Sequence, residues 1–230
     1  VIFLDGDDII NFEELTLAVR DAQERDLDLL ILPYKLAYSE VDGVPQVEHA
    51  TSDAWEMAAL EPERVKEIAF TLTNYPWIHL TRKQVLLERG VFFGPTEVQN
   101  DVLFHWHSIM ISERVAFYAG GAICTHRRSA ERHVLTNLHT AARMHLFDAV
   151  NQTFRVLKRE GFFGIAEYVP VWSSFVTHLY TFFSSSVPNE LQDEFRRRWA
   201  ATLEATIAAQ KEATAHTMQW HSRANIMRRQ

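Results

Sequence analysis

Three carboxylates, Asp5, Asp7 and Asp8, fall within four positions, directly after the apolar run Val1-Ile2-Phe3-Leu4. Carboxylates this close repel one another unless a cation lies among them, and a divalent ion held by oxygen ligands is the usual solution. An apolar run ending in acids reads as a buried strand that delivers them to its carboxyl end, where open α/β sheets bind ligands. Gly6 between the acids permits close backbone approach. An acidic turn that caps the next helix is the competing reading, and it suits Asp8 better than the pair Asp5 and Asp7.

Two further groups have the residue types for chemistry. Glu97-Val98-Gln99-Asn100-Asp101 puts Asp101 at an expected helix start, where the backbone dipole favours its ionised form. An ionised carboxylate in a cleft can act as a general base; plain helix capping by Asn100 and Asp101 is the alternative. Cys124-Thr125-His126-Arg127-Arg128 offers a metal-ligating imidazole beside two phosphate-binding guanidiniums, or else a solvated basic loop. His105 and His107, two apart on an expected helix, point to different faces and so do not share a metal. Trp77, after Tyr75-Pro76, is either a sugar-stacking platform or core.

The elements that must position these groups follow from pattern. Asn11 with Glu14 three residues on is a capping-box signature, and Leu15, Val19 and Ala22 continue at helical spacing. Leu29 to Leu32 reads as a strand, and Asp42-Gly43 as the turn of a hairpin between Tyr34–Glu40 and Val44–Glu48. Short helices are expected from Glu61-Pro62, from Thr81 to Gly90 and from Asn100, then a strand at Val115 to Tyr118 and a turn at Gly120-Gly121. Beyond about Asn137 strand signals vanish. Helices are expected over Leu138–Lys158, Ile165–Phe183 and Asn189–His216, the last with Leu191, Phe195, Trp199, Leu203 and Ile207 on one face.

The 230 residues, 47% hydrophobic, suffice for one large domain or a domain plus an extension. A net charge of −7 argues against a general nucleic-acid binder, although the local groups Arg127, Arg128, Arg132 and Arg196 to Arg198 can hold anions. One cysteine, Cys124, excludes an intrachain disulfide and a cysteine-based zinc cluster. The sequence opens on a strand-like run, and no signal peptide is expected within it. The charge-free stretch Tyr168–Val187 carries Pro170, His178 and several serines, which suits a buried or interfacial helix rather than a membrane span. A cytoplasmic location, free or peripheral at the inner membrane face, is expected.

Taken in order, these pieces resemble a family-2 inverting glycosyltransferase of the GT-A fold. The sequence runs apolar strand, D-x-D, capped helix, strand and hairpin. A segment follows with Trp77 and with Thr81-Arg82-Lys83 leading a helix, then Gly90-Val91-Phe92-Phe93, Asn100-Asp101 opening a helix, Arg114-Val115 entering a strand, and a basic stretch. The resemblance covers about residues 1–137. It implies an α/β fold: a partial GT-A-like, Rossmann-like sheet with flanking helices over 1–137, then an α-helical C-terminal extension over 138–230. It also implies that the family's first nucleotide-binding half is absent from these residues.

By the same resemblance, Asp5 and Asp7, with His126, would hold a divalent metal (Mg²⁺ or Mn²⁺) and, with Arg127 and Arg128, the diphosphate of a nucleotide-sugar donor. Asp101 would be the catalytic base, and Trp77 and Asn100 would lie against a carbohydrate or glycan acceptor. Asn100 stands where the family often has Glu, and Ile78-His79 where it often has Asn-Lys. Two other functions fit parts of the chain. One is a phosphatase of the haloacid dehalogenase type, with Asp5 as nucleophile and Asp7 as acid/base. The other is a non-catalytic assembly module in the helical half, which could also form a homo-oligomer through Trp172, Phe175, Tyr180, Phe182 and Phe183.

Overall fold

The computed structural model describes all residues except 7, 42, 43, 51, 52, 128–139 and 228–230; of 38–50 and 213–227 it describes the backbone alone. The expected turn at Asp42-Gly43, Asp7 and Arg128 therefore lie outside the described residues. The fold is mixed α/β, with two small sheets and a helical C-terminal region. The chain divides into two compact units, Val1–Phe93 with Asp101–Val134, and Gly94–Asn100 with Leu135–Gln230.

In the first unit, β1 (Ile9–Ile10) leads into α1 (Phe12–Glu24). The Asn11 side chain accepts the Glu14 N–H at 3.2 Å, so this end of the helix is capped as the sequence requires. Only half of the capping box forms. The Glu14 carboxylate instead takes the Tyr118 hydroxyl and the Gly121 N–H, both at 3.1 Å, tying α1 to the loop that follows a later strand.

The apolar run becomes β2 (Leu29–Ile31), completely buried and central in a sheet of order β5-β2-β6, where β5 is His79–Thr81 and β6 is Val115–Phe117. β2 runs antiparallel to β5 and parallel to β6. Burial on both faces explains why its sequence is continuously apolar rather than alternating. Asp28, just ahead of it, accepts the N–H groups of Glu113 and Arg114, each at 3.0 Å, and so fixes the start of β6.

The second sheet has order β1-β7-β3-β4, with β3 (Tyr34–Val41) and β4 (Val44–Ala50) as the expected hairpin and β7 at Cys124–Arg127. Three short α-helices follow the hairpin in the chain, α2 (Ala54–Leu60), α3 (Val65–Phe70) and α4 (Lys83–Arg89), with α2 and α3 packed on each other and on β6. Gly90 ends α4 in the left-handed region, at φ 62°, which only glycine enters freely. α5 (Asp101–Ile111) is buried on every side from Val102 to Ile109. Such a helix is central, and a stripe is not what its sequence shows.

Three expectations need correction here. Val1 to Leu4 is not a strand. Val1 exchanges two backbone hydrogen bonds with Thr81, at 2.7 and 2.9 Å, and the ladder goes no further. Phe3 turns instead to the rings of Phe93 and Phe104, 5.0 and 5.2 Å away. Thr81 belongs to β5, and the helix expected there begins at Lys83. The Cys124–Arg127 stretch is a strand and not a loop, since it pairs with both β1 and β3.

The second unit carries α6 (His145–Arg159), α7 (Tyr168–Ser184) and α8 (Gln192–Met227). α7 buries Val169, Trp172, Val176, Leu179 and Phe183, steps of three and four that trace one face. No helix among the described residues is long and apolar enough to cross a membrane. On α8 the expected four-residue face drifts: Phe195 is buried but Ile207 is exposed, and Thr202, Thr206 and Ala209 take over. A strict step of four advances about 40° per repeat on a 3.6-residue helix, so the stripe leaves the core.

Candidate active site

Antiparallel pairing of β1 with β7 sets the site. Ile9 lies opposite Thr125 and Ile10 opposite Cys124, so Asp8 falls next to His126. Its Oδ1 lies 2.8 Å from Nδ1 of His126. The Asp8 side chain has no exposed surface. Its Oδ2 is sealed from solvent without a hydrogen-bond partner of its own, beside the weakly donating Cys124 thiol. Burial and the neighbouring Asp8 carboxylate push that thiol far up, so it stays protonated.

Asp5 completes the group. One ligand atom each from Asp5, Asp8 and His126 lie within 4.8 Å of one another, with Asp5 exposed and the other two half-buried. Two carboxylates and an imidazole make a donor set that suits a divalent ion, and the mixture of oxygen and nitrogen suits Mn²⁺ better than Mg²⁺. Asp8 was expected to be a turn residue. The strand register, which sequence spacing does not reveal, makes it a member of this cluster.

Trp77 is placed differently from the expected acceptor platform. It is only 3% exposed. Its ring stacks on Tyr75 at 4.3 Å and on His126 at 4.5 Å. Tyr75 and His126 are 5.5 Å apart, too close to lie on opposite faces of the indole, so one face of Trp77 carries both. No face is open to a sugar. Trp77 is a wall behind His126.

Arg127 also departs from expectation. Successive strand residues point to opposite faces, so His126 shares a face with Cys124 while Arg127 shares one with Thr125. The basic stretch is therefore not one continuous clamp beside the imidazole.

Asp101 opens α5, half-buried. Burial pushes its carboxyl up to about 6; the N–H groups of Asp101 and Val102 oppose that rise, and the Asp5 charge adds to it. The Coulombic effect of Asp5 puts Asp101 in electrostatic reach of the acid cluster. Asn100 is exposed, and its carbonyl accepts the Gly94 N–H at 2.7 Å. Gln99 holds a left-handed φ of 61°, an uncommon conformation for a side chain of its type. Nothing in the sequence marks that strain.

No protein-family model and no curated protein matches the chain. Among solved structures it is similar to S. aureus TarS 1–349 in complex with UDP-GlcNAc, with 13% identity and a TM-score of 0.43 over 94% of this chain and 68% of that one. The same fragment in complex with UDP gives 15% identity and a TM-score of 0.40, over 94% and 67%. S. aureus TarS gives 16% identity and a TM-score of 0.37, over 92% of this chain but 39% of that one. At this degree of likeness no residue role is transferred from them.

A second polar cluster lies in the same unit. Nδ1 of His79 is 2.9 Å from Ser108 Oγ, and its Nε2 is 3.0 Å from Nδ1 of His105. The Ser108 hydroxyl donates its proton to the His105 carbonyl at 3.1 Å. Ser108 must therefore accept from His79, which leaves Nε2 of His79 as the acceptor for a proton on Nδ1 of His105. Both imidazoles are locked neutral. Burial pushes His79 down to about 3, and burial followed by the charge of His79 pushes His105 well below the ordinary range. Sequence reading placed His105 and His107 on a helix but gave His79 no partner.

Proposed function

We propose that the chain carries the catalytic acid cluster of a metal-assisted, inverting glycosyltransferase that uses a nucleotide-sugar donor and a carbohydrate acceptor. The observation that carries this reading is one unit holding two functions in electrostatic contact: a candidate cation site at Asp5, Asp8 and His126, and a carboxyl at Asp101 raised to about 6. The order of motifs that resembles the family-2 enzymes supports it.

Asp101 would accept the proton of an acceptor hydroxyl as that oxygen attacks the anomeric carbon. The nucleoside diphosphate departs from the opposite face, so configuration inverts. A base that titrates close to neutral pH is both ionised at pH 7 and basic enough to take the proton. Asp5 and His126 would hold a divalent ion, which supplies positive charge to the departing diphosphate. Trp77 has no acceptor-contacting role in this arrangement; an acceptor would meet Asp101.

The test is transfer of labelled sugar from a panel of nucleotide-diphosphate sugars with Mn²⁺, on the protein with any residues that naturally precede Val1. Sugar-nucleotide-dependent labelling that is lost in Asp101→Asn and in Asp5→Asn supports the reading. Full activity in both variants overturns it, as does turnover of an aryl phosphate with magnesium in place of transfer.

A further inference from the structure

We infer that the free edge of β6 is a binding slot for an extended peptide, which joins the β5-β2-β6 sheet as a further strand. None of the residues lining the slot belongs to the acid cluster, so the inference stands apart from the transferase reading.

β6 is the last strand of its sheet among the described residues. Its pairing with β2 fixes which backbone groups are used. The Leu29 N–H donates to the Arg114 carbonyl, and the Tyr118 N–H to the Ile31 carbonyl. In a parallel ladder of this register Ala116 also faces β2, while the N–H and C=O of Val115 and Phe117 face outward. Among the described residues none bonds to those outward groups. They repeat at about 6.6 Å, the two-residue period of an extended chain. Proteins blunt an open edge with lysine, proline or a bulge. β6 has none of these, being Val115, Ala116 and Phe117.

The edge lies in a cavity of about 580 Å³, within the ~300–1,000 Å³ of ligand pockets. Helices α2 and α3 pack on β6 and wall one side with Trp55, Ala58 and Val65. Ala59, Ala119 and Gly120, all small and exposed, keep the rim open.

The two faces of the slot differ. Phe117 meets the Trp55 ring at 5.0 Å, so the face it shares with Val115 lies toward α2. Ala116 and Tyr118 take the opposite face, clustered with Ala18 of α1, and Arg25 caps that helix. Asp21 holds one nitrogen of Arg25 at 3.0 Å, and the rest of the guanidinium fork is open to a second carboxylate. The nearby acids Asp26 and Asp28 are already engaged by Arg82 and Arg114. The exposed Glu56 lines the slot from α2 and repels acids from that side. An added strand would set alternate side chains against the apolar α2 wall and those between toward Arg25. A segment alternating apolar and acidic residues matches both, with main-chain bonds supplying affinity and alternate side chains selectivity.

The probe is acetyl-Val-Glu-Val-Glu-Val-amide, titrated into the isotope-labelled full chain and followed by amide shifts and hydrogen exchange. Exchange at the Val115 and Phe117 amides is expected to slow about tenfold or more on binding, with little change at Ala116 and Tyr118, which are already bonded. N-methylation of one alternate set of peptide residues should abolish binding, and of the other set should be tolerated, because only one set faces β6. Ala59→Phe crowds the rim from an exposed helix position and should weaken binding about tenfold. Arg25→Ala, which removes only an exposed ion pair, should weaken the acidic peptide several-fold and leave acetyl-Val-Thr-Val-Thr-Val-amide unaffected. Equal effects of the two N-methylated sets overturn the inference. So does binding that leaves the Val115 and Phe117 amides exchanging as before, and so does the absence of any shift at millimolar peptide. Slot shifts produced by a methyl glycoside and not by the peptide would make this a sugar subsite and equally overturn it.

Discussion

Helix α5 carries a half-buried acid and, one turn on, a buried imidazole, and the same physical cause moves them in opposite directions. At its first residue burial raises the Asp101 carboxyl to about 6; a turn later burial drives the His105 imidazole well down. Burial disfavours whichever form is charged, so it protonates an acid and deprotonates a base. The outcome for function differs. Asp101 stays close to neutral pH and within reach of Asp5, where it can exchange protons. Burial holds His105 and His79 neutral, and a proton on Nε2 of His79 would face the N–H of His105 Nδ1. One end of the helix is poised and the other is locked.

The largest expected effect tests the poised end. If Asp101 is the base, Asp101→Asn should lower sugar transfer by about 10²- to 10⁴-fold, the usual contribution of general base catalysis. In the parent protein the transfer rate should fall about tenfold per pH unit below about 6, as Asp101 becomes protonated. A pH–rate profile at fixed Mn²⁺ measures this. A flat profile between pH 5 and 7 would separate Asp101 from the chemistry and break the contrast with His105.

The locked end should appear in stability. The folded-state values of His79 and His105 are below those of the unfolded chain, so the unfolded state binds more protons in acid. The stability these imidazoles contribute is complete above about pH 6.5 and is lost as pH falls below it, by about 1.4 kcal/mol per pH unit for each imidazole. Urea titrations between pH 7 and 5 measure the slope. A stability independent of pH over that range would mean that the pair is hydrated or already charged.

How much of this was legible in the sequence depended on the range of the interaction. The Asn11 cap, the β2 run, the pairing of β3 with β4 and the Gly90 stop are local, a cap needing only three residues, and each stands where the spacing put it. Asp101 at a helix start was legible for the same reason. The Asp8–His126 contact spans 118 positions and comes from the β1–β7 register, which no spacing encodes. Trp77 was misread because an aromatic beside a site looks the same in sequence whether its face is open or covered. Val1 to Leu4 has strand composition, but a strand also needs a partner along its length, and Thr81 supplies one residue of it.

A smaller effect separates the two histidines from simple filler. His105→Leu keeps the volume roughly but leaves Nε2 of His79 buried with no donor, which costs about 1–3 kcal/mol. The same variant should flatten the acid slope by about half, because one of two imidazoles is gone. Urea midpoints at pH 7 and 5 read both quantities. A variant as stable as the parent at pH 7 would show that the pair adds nothing beyond apolar packing.

The smallest expected effect has the opposite sign and ties the two ends together. A carboxyl whose folded value is raised above its unfolded value costs stability that accrues as pH rises from the unfolded to the folded value and is complete above the latter, where the native state holds a charge it disfavours. At pH 7.5 Asp101 is ionised against its surroundings. Asp101→Asn removes that charge and keeps the shape, so it should stabilise the protein by about 1–2 kcal/mol, the ~3 kcal/mol of a two-unit shift discounted for a half-buried group. The gain should vanish below about pH 4, where both states carry a protonated acid. Thermal or urea unfolding at pH 7.5 and 4 measures it. A variant that gains stability while losing transfer would mark Asp101 as a residue kept at the expense of the fold, since His105→Leu one turn away loses stability and has no direct part in transfer. If Asp101→Asn destabilises instead, the carboxylate is serving as a helix cap, and the base must be sought elsewhere.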